Sequence, residues 1–130
     1  MPDQAVAAAV IYAKDVTRVS AFYARVAGLT LSPPEPDHAS LASPALQLFI
    51  VAMNPGIAAK VQIAQPPVLR ENTALKFIFP VASLADARQQ AAENGGALKP
   101  TEAEWEFNGH RHCDGHDPEG NVFQLRERVA

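Results

Sequence analysis

The sequence holds little of what marks a secreted, membrane or nucleic-acid-binding protein. Its 130 residues include one cysteine, Cys113, which cannot form an internal disulfide and so predicts a reducing, cytoplasmic setting. The net charge of −3 excludes the basic surface that nucleic-acid binders carry. No apolar run reaches the length of a membrane span, and Met1 to Gln4 lack the positive start of a secretory signal. A cytoplasmic protein without nucleic-acid or membrane partners is expected.

What the sequence does contain is a repeated strand–helix unit. An apolar run that begins at Val10 breaks at Lys14-Asp15 and passes into a helix that Gly28 stops. The apolar face of this helix is predicted to hold Val16, Val19, Phe22, Tyr23 and Val26, and the solvent face Arg18, Ser20 and Arg25. The same order recurs in residues 75–81, 83–94 and Gly95-Gly96.

The two units share one register. The predicted N-caps Asp15 and Ser83 lie 68 residues apart, and Gly28 and Gly96 keep the same offset. Short strands are predicted after each helix, at residues 29–31, 38–41 and 46–52 in the first unit and 97–99, 110–115 and 122–127 in the second. These patterns predict two βαβββ modules, and hence an α+β protein.

The domain organisation follows from these modules. At this length, with 48% hydrophobic residues, the chain is expected to form one domain over residues 1–130. Module one covers about residues 5–53 and module two about 73–128. The connecting segment 54–72 is rich in proline and has no sustained periodicity, and one possible role for it is to fold over a pocket mouth.

Two stretches carry a resemblance to a known family. Ser20-Ala21-Phe22-Tyr23-Ala24-Arg25-Val26-Ala27-Gly28-Leu29 and Asp117-Pro118-Glu119-Gly120-Asn121-Val122-Phe123-Gln124-Leu125 closely resemble the vicinal oxygen chelate superfamily of glyoxalase, bleomycin-resistance and extradiol dioxygenase proteins. The resemblance covers essentially the whole chain. It implies curved mixed sheets around a cavity, commonly completed in a homodimer. It does not name a substrate, because one fold hosts many chemistries.

The resemblance also locates four positions at which metal-using members of the superfamily hold a divalent ion. In this chain they carry Ala8, Gln47, Lys76 and Gln124. Alanine offers no ligand atom, a protonated lysine has no free lone pair, and neutral amides bind divalent ions more weakly than carboxylates do. We therefore expect no metal cofactor. In one interpretation Lys76 replaces the charge of the ion and attracts an anionic oxygen; in the other it extends into solvent.

A displaced metal site is the alternative. Residues 110–116, taken as a strand, place four metal-ligand types on one face and Arg111 and Cys113 on the other. The displaced site would consist of His38, His110, His112 and His116, with a divalent metal ion as cofactor. Titratable residues along a pocket rim are the plainer interpretation. Nothing in the sequence marks Cys113 as a nucleophile.

The predicted pocket is mostly apolar with a few polar points, as organic-ligand sites usually are. Trp105 and Phe107 are expected either to close over a ligand or to cap the core. By alternation, Ile11, Leu48, Ile50, Phe77, Phe79, Phe123 and Leu125 should face the helices. The predicted ligand-binding residues are Tyr12, Gln47, Phe49, Lys76, Trp105, His110, His112, Gln124 and Arg126.

Together these patterns predict a metal-independent protein, similar to the bleomycin-resistance branch, that binds a small organic molecule as a homodimer. The alternative is a glyoxalase-like lyase or isomerase, or a dioxygenase, that uses a displaced metal or acid–base residues. Whether the chain is an enzyme stays open at this point, as does the identity of the ligand. A protein-interaction domain is the least favoured class, because the polar pocket positions would have no purpose.

Overall fold

The chain folds into two sheets and two principal helices. The structure is a computed structural model that describes residues 5–129; the segment Met1 to Gln4, in which no secretory signal is predicted, lies outside that range. The elements of the first half are β1 (Ala7–Ala13), α1 (Val16–Val26), β2 (Thr30–Leu31), β3 (His38–Ala42), β4 (Leu46–Ala52) and α2 (Pro55–Ala58). Those of the second half are β5 (Ile78–Pro80), α3 (Leu84–Glu93), β6 (Ala97–Leu98), β7 (Trp105–Phe107), β8 (His110–His116) and β9 (Val122–Arg128).

Each half forms one mixed sheet. The first sheet has the order β1-β4-β3-β2, in which β1 runs parallel to β4 and the other neighbours are antiparallel. The second sheet has the order β5-β9-β8-β6, and β5 again runs parallel to β9. The predicted α+β class and the curved mixed sheets of the superfamily fold are confirmed.

The second half departs from the prediction in two places. Residues 105–107 form an additional strand, β7, which pairs antiparallel with β8. The strand expected over residues 75–81 is shorter, so that Lys76 precedes β5. Neither difference could be seen in the periodicity, because three residues are too few to establish an alternation.

Both helices begin at the predicted caps. The Asp15 carboxylate accepts a hydrogen bond from the Arg18 amide at 3.0 Å, and the Ser83 hydroxyl accepts one from the Asp86 amide at 3.1 Å. These bonds satisfy amides of the first turn that have no partner within the helix. Gly28 has a φ of +68°, a backbone conformation that glycine adopts at little cost, so the chain turns away after α1.

The core lies where α1 packs between the sheets and beside α3. Its aromatic rings form one cluster, in which Tyr23 contacts Phe79 and Phe123 with ring centroids 5.7 Å apart in both pairs. The residues predicted to face the helices are buried or pack against the core, with the exception of Phe77, which is 41% exposed. The prediction that Ser20 faces solvent is also wrong. Ser20 is buried, and its hydroxyl donates a hydrogen bond to the Thr17 carbonyl.

The turn between β8 and β9 joins the two modules. The Asp117 carboxylate is fully buried and accepts hydrogen bonds from the Tyr23 hydroxyl, from the Glu119 amide and from the amide and side chain of Asn121. Glu119 accepts two more, from the backbone amides of Lys14 and Asp15, at 2.9 and 2.7 Å. The motif that carries the family resemblance is therefore a structural connection in this chain.

Among the residues that the structure describes, no helix is long and apolar enough to cross a membrane.

Candidate functional site

The face of the second sheet that points away from the helices carries the polar groups. The predicted alternation in β8 holds: Cys113 is buried on the helix side, and His112 and Asp114 point to the opposite face. We call this opposite face the open face. In the strand register His112 pairs with Arg126, and Asp114 pairs with Gln124. Residues from two distant parts of the second module thus meet there.

Lys76 lies on this face and is paired. Its ammonium is 3.3 Å from Asp114 Oδ2, and the side chains of the two residues are 34% and 21% exposed. Lys76 therefore neither extends freely into solvent nor presents an unpaired charge, as the two sequence interpretations supposed. Its positive charge is balanced by the neighbouring carboxylate, so any net positive charge at this point of the open face comes from Arg126.

Three buried polar atoms on the open face have no hydrogen-bond partner among the described residues. They are His112 Nδ1, Asp114 Oδ1 and Arg126 Nε. His112 is only 4% exposed. Burying a polar atom without a hydrogen-bond partner costs free energy. When the protein itself supplies no partner, a water or a ligand usually does.

The imidazole of His112 is held in one orientation. Its Nε2 lies 3.2 Å from the Phe107 carbonyl oxygen, which can only accept, so Nε2 carries the proton and Nδ1 of the neutral ring presents a lone pair. Trp105 stacks on the same ring, with centroids 5.4 Å apart and planes inclined by 13°. The additional strand β7 thus supplies both groups that fix His112. Trp105 itself remains 38% exposed, so it caps the histidine and does not enter the core.

The displaced metal site is not assembled. His38 lies on the first sheet and its Nδ1 is 2.8 Å from Asp37, while His110 Nδ1 and His116 Nδ1 face the carbonyl oxygens of Asn108 and Asp117. Within residues 5–129, no three His, Cys, Asp or Glu side chains are placed to hold an ion together.

The corresponding face of the first sheet is open and less polar. Ala8 pairs with Gln47 and Val10 with Phe49, which places these predicted pocket residues side by side. Tyr12 is 60% exposed and Gln47 is exposed as well. The structure brings Lys76, His112, Gln124 and Arg126 together on the second sheet, and places the other predicted residues along its margin or on the first sheet.

Two cavities adjoin the open faces. One, of about 350 Å3, lies between residues of β1 and the segment that leads into β5, and Arg70 is the one charged residue in its lining. The other, of about 280 Å3, is lined by Lys76 and Asp114 of the open face and by Glu71 and Lys99. Both volumes are near the lower end of the range for small-molecule sites.

The connecting segment contributes to both cavities. Leu69 and Glu71 line the smaller one, and Arg70 lines the larger one. The backbone amide of Arg70 donates to the Gly120 carbonyl at 2.8 Å, which fixes the segment against the β8–β9 turn. Sequence analysis left the role of this segment open, because it has neither periodicity nor a recognisable motif.

Cys113 is unsuited to nucleophilic chemistry. The thiol is fully buried and burial raises its pKa, which disfavours the thiolate. Its sulfur donates to the Lys99 carbonyl at 3.3 Å, and the Arg88 guanidinium lies 3.5 Å away. The residue belongs to the packing between α3 and the second sheet.

Comparison with known proteins supports the fold described above and identifies the family to which the chain belongs. A likeness of the whole chain to solved structures of the glyoxalase/bleomycin resistance/dioxygenase type defines the fold class. The family model of the glyoxalase-like domain matches residues 8–126. The chain therefore belongs to the glyoxalase-like family, within the vicinal oxygen chelate superfamily. No curated protein matches it.

Three solved structures illustrate this likeness. A glyoxalase/bleomycin resistance protein/dioxygenase family enzyme from Burkholderia phytofirmans PsJN is 22% identical, with a TM-score of 0.66 over 95% of this chain and 98% of that one. TnmS3, an antibiotic binding protein from Streptomyces sp. CB03234, is 18% identical, with a TM-score of 0.62 over 99% of both chains.

The third is the fosfomycin resistance protein FosX from Listeria monocytogenes, in mutant form and complexed with Mn(II) and 1S,2S-dihydroxypropylphosphonic acid. It is 15% identical, with a TM-score of 0.64 over 99% of this chain and 93% of that one. At these identities the three likenesses establish the fold and leave the ligand of this chain open.

Proposed function

We propose that this glyoxalase-like protein binds a small organic molecule on the open face of the second sheet without a metal ion. The supporting observation is the group of three buried, unpartnered polar atoms on His112, Asp114 and Arg126. A ligand would satisfy these atoms, and the adjoining cavity of about 280 Å3 has room for a ring. TnmS3, an antibiotic binding protein with this fold, supports a binding role.

The chemistry of the available side chains supports the absence of a metal. Of the four positions indicated by the superfamily resemblance, Ala8 has no donor atom, and Lys76 directs an ammonium at Asp114. A cation placed beside Asp114 would have to displace that ammonium. Gln47 and Gln124 offer neutral amides, which are weaker ligands for divalent ions than carboxylates.

The expected result of elemental analysis is less than one tenth of an equivalent of divalent metal, on the order of background, in protein purified without chelators. A matched positive control is the double variant Lys76→His/Gln124→Glu, which removes the ammonium and adds an imidazole and a carboxylate beside Asp114. It should gain affinity for zinc or nickel. A stoichiometric ion in the wild-type protein would refute metal independence, and one lost on His110→Phe/His112→Phe would establish the displaced site instead.

Binding itself is tested by a ligand-dependent melting screen. A ligand that binds the native state stabilises it by mass action, by about 2.7 kcal/mol at 100 times Kd. A compound that raises the melting temperature in wild type but not in Arg126→Met identifies the open face as its site. The lyase, isomerase or dioxygenase alternative requires in addition that the same compound is converted, which product analysis of the bound mixture decides.

Assembly as a homodimer belongs to the same proposal. Val10 and Tyr12 on the first sheet and Ile78 on the second are 47%, 60% and 45% exposed. Several large apolar side chains exposed on the two open faces are typical of a protein–protein interface. Light scattering at micromolar concentration is expected to give twice the chain mass of 13.9 kDa. Val10→Asp should lower that mass, whereas Val68→Asp, at a position 78% exposed, should not. A monomeric wild-type mass would contradict the proposal.

A further inference from the structure

The unpartnered atoms of the open face also define the hydrogen-bonding pattern of the group that fits them. We propose that this face recognises a neutral planar group that offers one acceptor and two donors, as a primary carboxamide does with its carbonyl oxygen and its two N–H groups. This proposal rests on the proposed binding function and specifies the chemical class of its ligand.

Each atom has a fixed requirement. Arg126 Nε is a donor and needs an acceptor. His112 Nδ1 needs a donor, because the Phe107 carbonyl holds the ring proton on Nε2. Asp114 Oδ1 also needs a donor, since its partner oxygen Oδ2 alone contacts the Lys76 ammonium. One acceptor and two donors are the complement of this set.

Charged groups of the same shape fit less well. A carboxylate offers only acceptors, so its second oxygen would meet the lone pairs of His112 Nδ1 and Asp114 Oδ1. An amidinium offers only donors and would meet the Arg126 guanidinium without an acceptor. An unmatched buried polar atom costs more than a hydrogen bond contributes, so both ions are disfavoured relative to the neutral amide.

The surroundings favour a flat ligand. Trp105 stacks on one side of His112 and remains partly exposed, which leaves indole surface for a second ring. The three atoms are closed to solvent as the side chains stand, so a ligand reaches them when the long side chain of Lys76 moves aside. The cavity beside Lys76 and Asp114 then receives the body of the ligand.

Three isosteric probes separate these patterns in the wild-type protein. Benzamide, benzoate and benzamidinium have the same ring and a planar three-atom head. Benzamide offers both an acceptor and donors, benzoate offers only acceptors, and benzamidinium offers only donors. Ligand-observed NMR titration at millimolar concentration is expected to show benzamide binding about tenfold more tightly than either ion. N,N-Dimethylbenzamide, which has no N–H, should bind as weakly as the ions.

Two variants place the binding on the open face. His112→Phe keeps a stacking ring and removes the acceptor, and Arg126→Lys keeps the charge and removes Nε–H; each should weaken benzamide binding about tenfold. Arg111→Lys is the matched control, because Arg111 lies on the other face of β8 and its guanidinium is 2.7 Å from Glu106. Melting curves establish that each variant is folded, and the wild-type probe series holds even if one variant is not.

Tighter binding of benzoate would overturn the proposal and indicate an anion site. Equal binding of all probes, or no binding, would overturn it too, and the three atoms would then be hydrated. In either case a compound found in the melting screen that depends on Arg126 would leave the proposed binding function standing. If benzamide is not preferred and the melting screen also finds no compound that depends on Arg126, the proposed binding function is wrong as well.

Discussion

Replacing Asp117 with alanine is expected to destabilise the protein by about 3–5 kcal/mol, one of the largest effects of any single substitution in the chain. The carboxylate is fully buried and accepts four hydrogen bonds, from Tyr23, Glu119 and, twice, Asn121. Removal of the side chain leaves these donors without a partner in the interior. It also releases the turn that connects the second module to the start of α1.

Urea unfolding of the variants measures this effect. Asp37→Ala is the matched control, because that carboxylate is 82% exposed and its hydrogen-bonded partner, His38, is exposed too. The control should lose little or no stability, because the interactions of a solvent-exposed carboxylate contribute little. A loss of the same size in Asp117→Ala would show that the turn is not a structural connection, and that the motif is present for another reason.

The Tyr23 hydroxyl gives the same network a pH dependence. Burial, and then the charge of Asp117, raise the pKa of Tyr23 well above its usual value. The folded protein therefore keeps the phenol proton where the unfolded chain loses it, so the stability that this group contributes is complete below about pH 10 and declines as pH rises further. In Tyr23→Phe this alkaline decline should be smaller, and Tyr12→Phe, at an exposed position, should leave it unchanged.

Much of the fold was accessible from the sequence because its signals are local. The helix caps Asp15 and Ser83 and the strand Leu46–Ala52 were placed by side-chain chemistry and by alternation within a few residues. Such patterns depend on residues that are close in sequence, so they can be recognised without knowing how the chain folds. The glycine stop after α1 belongs to the same kind, because Gly28 has the positive φ that the turn requires.

The chemistry of the open face was less accessible because it depends on register between distant strands. Lys76 and Asp114 are 38 positions apart in sequence, and only the pairing of β5, β9 and β8 makes them an ion pair. That partner changes the charge expected at Lys76, since a balanced ammonium attracts an anion less than a free one. The tautomer of His112 likewise depends on a carbonyl of β7, a strand too short to predict.

The burial of Ser20 and the exposure of Phe77 were also not predictable from local sequence patterns. A serine on the polar side of a helix period is expected to face solvent, yet α1 packs against both the first sheet and α3, and Ser20 is buried. Phe77 precedes the short strand β5, where the alternation that would direct it inward has not begun. Helix and strand periods predict a face but not how widely its neighbours cover it.

Replacing Gly120 with alanine is expected to cost about 2–5 kcal/mol, from two independent sources. Its φ of +85° disfavours any residue with a Cβ, and a Cβ built at this position would lie 2.2 Å from the Val68 carbonyl oxygen. Because Val68 contributes backbone at this contact, it cannot relieve the overlap by a rotamer change. The connecting segment must move away from the β8–β9 turn.

Gly109→Ala separates the two sources. Gly109 has a similar φ of +76°, but a Cβ there would meet nothing within 4 Å, so this variant should lose only the conformational term of about 1–2 kcal/mol. In Gly120→Ala, and not in Gly109→Ala, the Arg70 amide should also exchange its hydrogen faster, because its bond to the Gly120 carbonyl depends on that contact. Equal losses in the two variants, with Arg70 equally protected, would mean that the segment is not held by this turn. If the segment does move, Leu69, Arg70 and Glu71 move with it, and both cavities lose part of their lining.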